Sequence, residues 1–206
     1  MSDFFADEYY QHIHAKLKSR LDEQRFTHSL GVAQTAGKLA EIYGVDIAKA
    51  HLAGLLHDWD KCLDNAHVQK KVKDLNLAVD PFVYQHMPWL LHGITAAATF
   101  AIEMPEVEND VLQAIARHTS AATDMTDLDM VLYVADVIEP SRPYKAMEPL
   151  RELVGEVSLE NLFLQTFRHV FSHLVDRYYM IHPDTVAVWN CCIQRTRVHT
   201  KEEGNL

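Results

Sequence analysis

Apolar residues recur at three- and four-residue spacing along nearly the whole chain, the signature of helices that bury one face. Tyr10, Ile13, Leu17 and Leu21 predict a first amphipathic helix with Lys16, Lys18 and Arg20 on its wet side. Thr27 is placed to cap a second helix, which turns Leu30, Ala33, Ala36, Leu39, Ala40 and Tyr43 inward, carries His28 at its start and stops at Gly44. Asp46 caps a third, whose small residues Ala50, Ala53 and Gly54 permit close packing before Leu55 and Leu56 deliver His57 and Asp58. Asp60 and Lys61 mark the way out of that buried stretch, and residues 62 to 88 read as short helices and loops with Pro81 and Pro88 as breakers. A further helix opens at Leu91-His92-Gly93-Ile94 and runs to about Glu103, ahead of Pro105. Val111, Ala114, Ile115 and His118 share one face of the next.

Leu128, Val131, Leu132 and Ala135 continue as one stripe into Asp136, which places an acid on an apolar face. Leu159, Leu162, Phe163, Thr166, Phe167, Val170, Phe171, Leu174 and Tyr178 form a long inward face, and Pro183 starts a last helix with Val186, Trp189 and Ile193 inward. No strand pair competes with these patterns, so the predicted class is all-α.

Composition narrows the function. Hydrophobic residues at 48% and charged residues at 23% fit an ordinary folded domain. A formal charge of −10 argues against a broad nucleic-acid surface. No apolar run approaches the roughly 18 residues of a membrane span, and the N-terminus lacks a basic leader region, so the expected setting is cytoplasmic, without membrane partners. Cys62, Cys191 and Cys192 fit neither a disulfide framework nor a zinc knuckle and read as reduced thiols.

The histidines and acids carry the chemistry. A buried carboxylate needs a partner or a cation, and His57-Asp58 at a helix end can grip one ion from two sides. His28, His57, Asp58, His92, His118 and Asp136 come from five helices, and they suffice for two divalent ions if one carboxylate bridges. Imidazole suits iron, manganese, cobalt or zinc, and carboxylate favours the harder of these. A water or hydroxide between two such ions is an activated nucleophile for phosphorus. Other readings of single residues stand beside this one: His-Asp pairs occur without metal, and Asp136 could pair with Arg142 or cap a loop. The remaining nine of the 13 histidines are assigned to ordinary hydrogen bonding.

The ordered set resembles the H…HD…D pattern of HD-domain metal-dependent phosphohydrolases. Fuller motifs, His28-Ser29-Leu30-Gly31-Val32-Ala33, Ala53-Gly54-Leu55-Leu56-His57-Asp58, Lys61, Arg117-His118-Thr119, Tyr133 to Arg142 and Ile181-His182-Pro183-Asp184-Thr185, are similar to the YqeK family of bacterial symmetrical diadenosine tetraphosphate hydrolases. The resemblance runs from about Arg25 to Asn190. It implies an HD-domain helical bundle, assigned to residues 25–196; by its apolar spacing the N-terminal helix (1–24) is expected to pack on that bundle, and a polar tail (197–206) to follow it. It further implies a dinuclear centre, iron first and manganese or cobalt as alternatives, that cleaves diadenosine tetraphosphate into two ADP as a bridging hydroxide attacks an inner phosphorus.

In that pattern His28, His57, Asp58 and Asp136 hold one metal, and His92 and His118 hold the second with Asp58 bridging. Lys61 and Arg142 are candidate catalytic phosphate contacts, with Arg25 and Thr119 as further substrate contacts. The chain departs from the family where Ser120-Ala121 and Asp124 stand at positions usually Thr-Gly and Gly, so the loop after His118 is expected to differ in shape. Another nucleotide as substrate and a nucleotide-sensing module without turnover are the competing functions, and a homodimer is left open.

Overall fold

Side-chain caps decide where the helices of this computed structural model begin. It describes residues 8–141 and 145–203. Helix α1 spans Glu8–Arg20, and α2 spans Glu23–Tyr43 behind Asp22, whose carboxylate accepts from Arg25 N at 2.8 Å. The expected Thr27 cap is therefore corrected. Asp22 already satisfies the free N–H groups five residues earlier, so Thr27 is interior and His28 sits in the second turn of α2 rather than at its start. Gly44, at φ 73°, closes α2 in the left-handed conformation that glycine tolerates. Helix α3 (Ile47–Leu56) starts behind Asp46, as expected, with its carboxylate accepting from Lys49 N.

The segment from 62 to 88 is more regular than its sequence suggests. Helix α4 (Asn65–Asp74) is capped by Asp64 and α5 (Pro81–His86) by Asp80. Pro81 and Pro88 act as starters rather than breakers: a proline fits the first turn of a helix, where its missing N–H is not needed, and Pro88 opens a 3-10 turn to Leu91. Then follow α6 (His92–Glu103), α7 (Asn109–Arg117), α8 (Asp127–Ile138), the short α9 (Glu148–Glu152), α10 (Leu159–Asp176) and α11 (Thr185–Glu203). No strand occurs among the described residues.

Helix α8 is the centre. A capping box between Thr126 and Asp129 starts it, and it is apolar on nearly every side, which suits a helix in contact with α2, α3, α7 and α10. Around that centre α2 packs on α3 and α6 on α7, and α3 also meets α7. Ile13 and Leu17 of α1 are fully buried in the same core, while Val68, Val72, Val83, Met87 and Leu91 make a smaller cluster under α4 and α5.

Two expected faces are corrected. Only the first half of α10 is core: Leu159, Leu162, Phe163, Thr166 and Phe167 are buried, Val170, Phe171 and Leu174 are half-buried, and Tyr178 lies beyond the helix end, 96% exposed. The inward stripe of α11 is Val188 and Cys192, with Trp189 and Ile193 half-buried and Val186 exposed. The helix starts at Thr185, and its buried residues Thr185, Val188 and Cys192 recur three and four apart from there. Cys192 is thus a core residue, and all three thiols are free. No helix among the described residues is long and apolar enough to cross a membrane.

Candidate functional site

The six candidate ligands converge. His28 reaches in from the second turn of α2, and His57 and Asp58 follow the last residue of α3. His92 opens α6, His118 follows α7, and Asp136 sits in the last turn of α8. The two oxygens of Asp58 face opposite pairs: Oδ1 lies 3.0 Å from His92 Nε2 and 3.8 Å from His118 Nε2, and Oδ2 lies 3.6 Å from His57 Nε2 and 3.9 Å from His28 Nε2. Asp136 Oδ1 completes the cluster at 2.9 Å from His28 Nε2 and 3.7 Å from His57 Nε2. Asp136 is less buried than its stripe predicts, with a fifth of its side chain (20%) exposed.

The far nitrogen of every ring is tied down. Nδ1 of His57, His92 and His118 each lies 2.7 Å from a backbone carbonyl three residues earlier, that of Gly54, Trp89 and Ile115 respectively. Carbonyls only accept, so Nδ1 carries the proton and Nε2 offers its lone pair to the cluster. His28 achieves the same with Glu139, whose Oε1 lies 2.9 Å from His28 Nδ1. Two consequences follow for the fit of a metal. His92 Nε2 and His118 Nε2 stand 3.1 Å apart with lone pairs facing, and His57 Nε2 is buried with no hydrogen-bond partner. An orphaned buried acceptor costs roughly 1–3 kcal/mol. A cation between these atoms removes both penalties, and the outer carbonyls and carboxylate are the supports that metal-bound imidazoles use.

Burial pushes the His57 imidazole down to about 4 and lowers that of His92 as well. His57 thus presents a neutral ring at pH 7. His28, His57 and Asp136 offer atoms within 4.8 Å of one another, and so do His57, Asp58 and His118. These nitrogen and oxygen donors fit a divalent first-row ion.

Among the other expected residues, Arg25 comes closest to the cluster, with Nη1 3.2 Å from Asp58 Oδ2 and its side chain 38% exposed. Lys61 is half-buried in the turn after Asp58. Thr119 donates to Leu90 O at 3.0 Å. Arg142 lies outside the described residues.

Among the buried carboxylates that sequence reasoning missed, Glu139 and Asp60 bear on the site. Glu139 stands three residues after Asp136, a helical spacing that signals a shared side. Asp60 marks no exit: it is fully buried and accepts from Arg20 Nη2 at 2.6 Å, Lys71 Nζ at 2.6 Å and Thr95 Oγ1 at 2.8 Å. It thereby binds α1, α4 and α6 to the turn that bears His57 and Asp58. Gly93 is a further requirement, because a Cβ there would meet Ile115 O at 2.5 Å and the His118 ring at 3.0 Å.

A cavity of about 420 Å³ adjoins the cluster, lined by Trp89, Thr119, Tyr133, Phe171, Tyr179 and His182 among others. It borders the cluster through Thr119, next to His118; through Trp89, whose carbonyl holds His92; and through Tyr133, one turn before Asp136. The loop after His118 holds Ala121 at φ 60°, the conformation of a glycine, so the substituted residue takes the left-handed backbone rather than avoiding it. Arg117 braces that loop by donating to the Asp124 and Asp129 carboxylates at 3.0 and 2.8 Å.

The chain is similar to known proteins in sequence and in fold. The HD domain family matches residues 25–141. The symmetrical bis(5′-nucleosyl)-tetraphosphatase of Bacillus subtilis (strain 168) is 32% identical over 85% of this chain and 93% of its own length. The same enzyme of Staphylococcus aureus (strain NCTC 8325 / PS 47) is 33% identical over 84% of this chain and 89% of its own. A crystal structure from Clostridium acetobutylicum, described as a predicted HD superfamily hydrolase involved in NAD metabolism, superposes with a TM-score of 0.84. It is 32% identical and covers 90% of this chain and 97% of its own.

Proposed function

The chain belongs to the HD-domain family, among the symmetrical bis(5′-nucleosyl)-tetraphosphatases, and from that premise we propose that it hydrolyses diadenosine tetraphosphate and related dinucleotides into two nucleoside diphosphates. The observation that carries this reading is the meeting of four imidazoles and two carboxylates beside an apolar cavity of nucleoside size. In this proposal His28, His57, Asp58 and Asp136 form one ligand set, and His92 and His118 form the other. Asp58 is shared, since its two oxygens face the two sets. Two divalent ions so held, iron first with manganese or cobalt as alternatives, would activate water against an inner phosphorus and neutralise the phosphoryl oxygens.

The chain's own residues do the rest. Arg25 and Lys61 bring positive charge to the inner phosphates, Arg25 by leaving its contact with Asp58; Arg142 joins them through its place after Ile138-Glu139-Pro140. Trp89, Phe171 and Tyr179 give the cavity flat apolar walls against which a base stacks, with His182 and Thr119 as polar groups to orient it. The leaving group is a nucleoside diphosphate that departs as an anion, so no strong general acid is needed. A net charge of −10 agrees with a small nucleotide partner rather than a nucleic acid, and the proposed setting is the cytoplasm.

Product analysis tests the proposal. Protein loaded with iron(II) or manganese under reducing conditions is incubated with diadenosine tetraphosphate, and the nucleotides are separated by ion exchange. ADP as the sole product, absent with Asp136→Ala, is the expected result. ATP plus AMP would overturn symmetrical cleavage, and no product from metal-loaded protein would overturn this substrate.

A further inference from the structure

Three of the four clustered histidines sit at helix ends, and the fourth does not. His57 and His118 follow the last residues of α3 and α7, and His92 is the first residue of α6. Carbonyls in the last turn of a helix lack their usual helical partner, as at Gly54 and Ile115, and Trp89 lies in the 3-10 turn that leads into α6; each ring ties its Nδ1–H to the carbonyl three residues earlier. His28 lies inside the 21-residue helix α2, where the corresponding carbonyls are engaged in the helical ladder. It needs an acceptor from elsewhere.

We propose that Glu139 is that acceptor by design, a positioning residue that fixes the His28 ring so that Nε2 faces the metal centre, without itself touching an ion. The inference rests on the metal-centre reading above. Glu139 is fully buried at the end of α8. Its Oε1 lies 2.9 Å from His28 Nδ1 and accepts from Ser141 Oγ at 2.7 Å, and its Oε2 accepts from Ser141 N at 2.7 Å. Both oxygens are thus engaged on the side of the ring away from Nε2. Arg151 holds the backbone beneath them, donating to Ile138 O at 2.7 Å and Glu139 O at 3.0 Å.

The opposite helix leaves room for this carboxylate and nothing larger. Gly31, one turn after His28, faces it so closely that a Cβ there would stand 2.5 Å from Glu139 Oε2. That oxygen is held there by the Ser141 N–H. Gly31 therefore serves the same purpose as Glu139.

The test uses the Glu139→Gln protein and manganese(II) alone as probe. An amide in this slot conflicts either way round: its NH₂ faces the Ser141 N–H, or it faces His28 Nδ1 and drives the proton to Nε2. The manganese dissociation constant is expected to rise about 10- to 100-fold. In the zinc-loaded protein, the exchange-protected His28 Nδ1–H resonance seen by NMR in the parent is expected to vanish. A purely structural role would move neither the resonance nor the coupling that follows. Adding Glu139→Gln to His28→Ala is expected to weaken manganese binding no further, because the ring it positions is gone.

Gly31→Ala is the second variant. Alanine strengthens the α2 helix by roughly 1 kcal/mol of propensity, so at least a tenfold loss of manganese affinity there cannot come from a weakened helix. Parent-like affinity in Glu139→Gln, or losses that add to those of His28→Ala, would overturn the role of Glu139 alone. Failure of the parent chain to bind manganese would overturn the metal centre and this inference with it.

Discussion

The cluster and the cavity beside it share residues 89, 119 and 133 as neighbours, yet they are held in different ways. In the cluster the candidate ligands come from five helices, all four rings are fixed by an acceptor behind Nδ1, and only Asp136 keeps much exposure. In the cavity buried side chains such as Met87, Tyr133 and Phe167 are joined by half-buried ones from the second half of α10 and exposed ones at residues 179 and 180. Positions fixed to a few tenths of an ångström suit ligation and phosphorus chemistry. Adaptable apolar walls suit a base, whose flat face tolerates small displacements. Changes to one region should therefore leave the other working, and that separation can be tested.

The largest expected effect is that of Asp58→Ala, which removes a ligand from both proposed sets. Turnover of diadenosine tetraphosphate should fall by more than about 10³-fold, as expected when groups that act as a unit are broken, and bound manganese, counted by equilibrium dialysis, should fall with it. Full metal with full rate would break the assignment. Next, manganese at about 1,000 times its dissociation constant should raise the unfolding free energy by about 4 kcal/mol, read from urea midpoints and reversed by a chelator. A midpoint indifferent to manganese would deny that the cluster is its site.

Phe171→Ala probes the other side. Stacking of a base is worth roughly 1–3 kcal/mol, so KM for the dinucleotide should rise about tenfold while manganese affinity stays as in the parent; a change in metal affinity would erase the distinction between the two regions. The smallest effect is that of Ala121→Gly. Relief of a left-handed alanine is worth about 1 kcal/mol, so thermal unfolding should shift upward by a few degrees with little change in KM.

The helices and the six clustered candidate ligands were legible in the sequence because both follow from local spacing: apolar residues three and four apart, and polar ones interrupting the stripe. Thr27 and Asp22 show where that reading stops, since either could cap α2 and only the helix length chooses. Val170, Phe171 and Leu174 show a second limit. A periodic apolar face looks the same whether it meets a core or lines a cavity. Glu139 and Asp60 show a third, because a carboxylate is buried only when partners far along the chain receive it. His28 lies 111 residues from Glu139, and Arg20 lies 40 from Asp60.

Arg20 donates through Nε to Trp59 O at 2.7 Å, reaches Asp60 through Nη2 and stacks over the Trp59 ring at 5.0 Å. It stands upstream of residue 25, where the HD domain match begins. A graft cut at that boundary would carry every candidate ligand into its new host, yet leave Asp60 stripped of one of its two cations inside an apolar interior. For anyone transplanting this centre, the portable unit begins at α1.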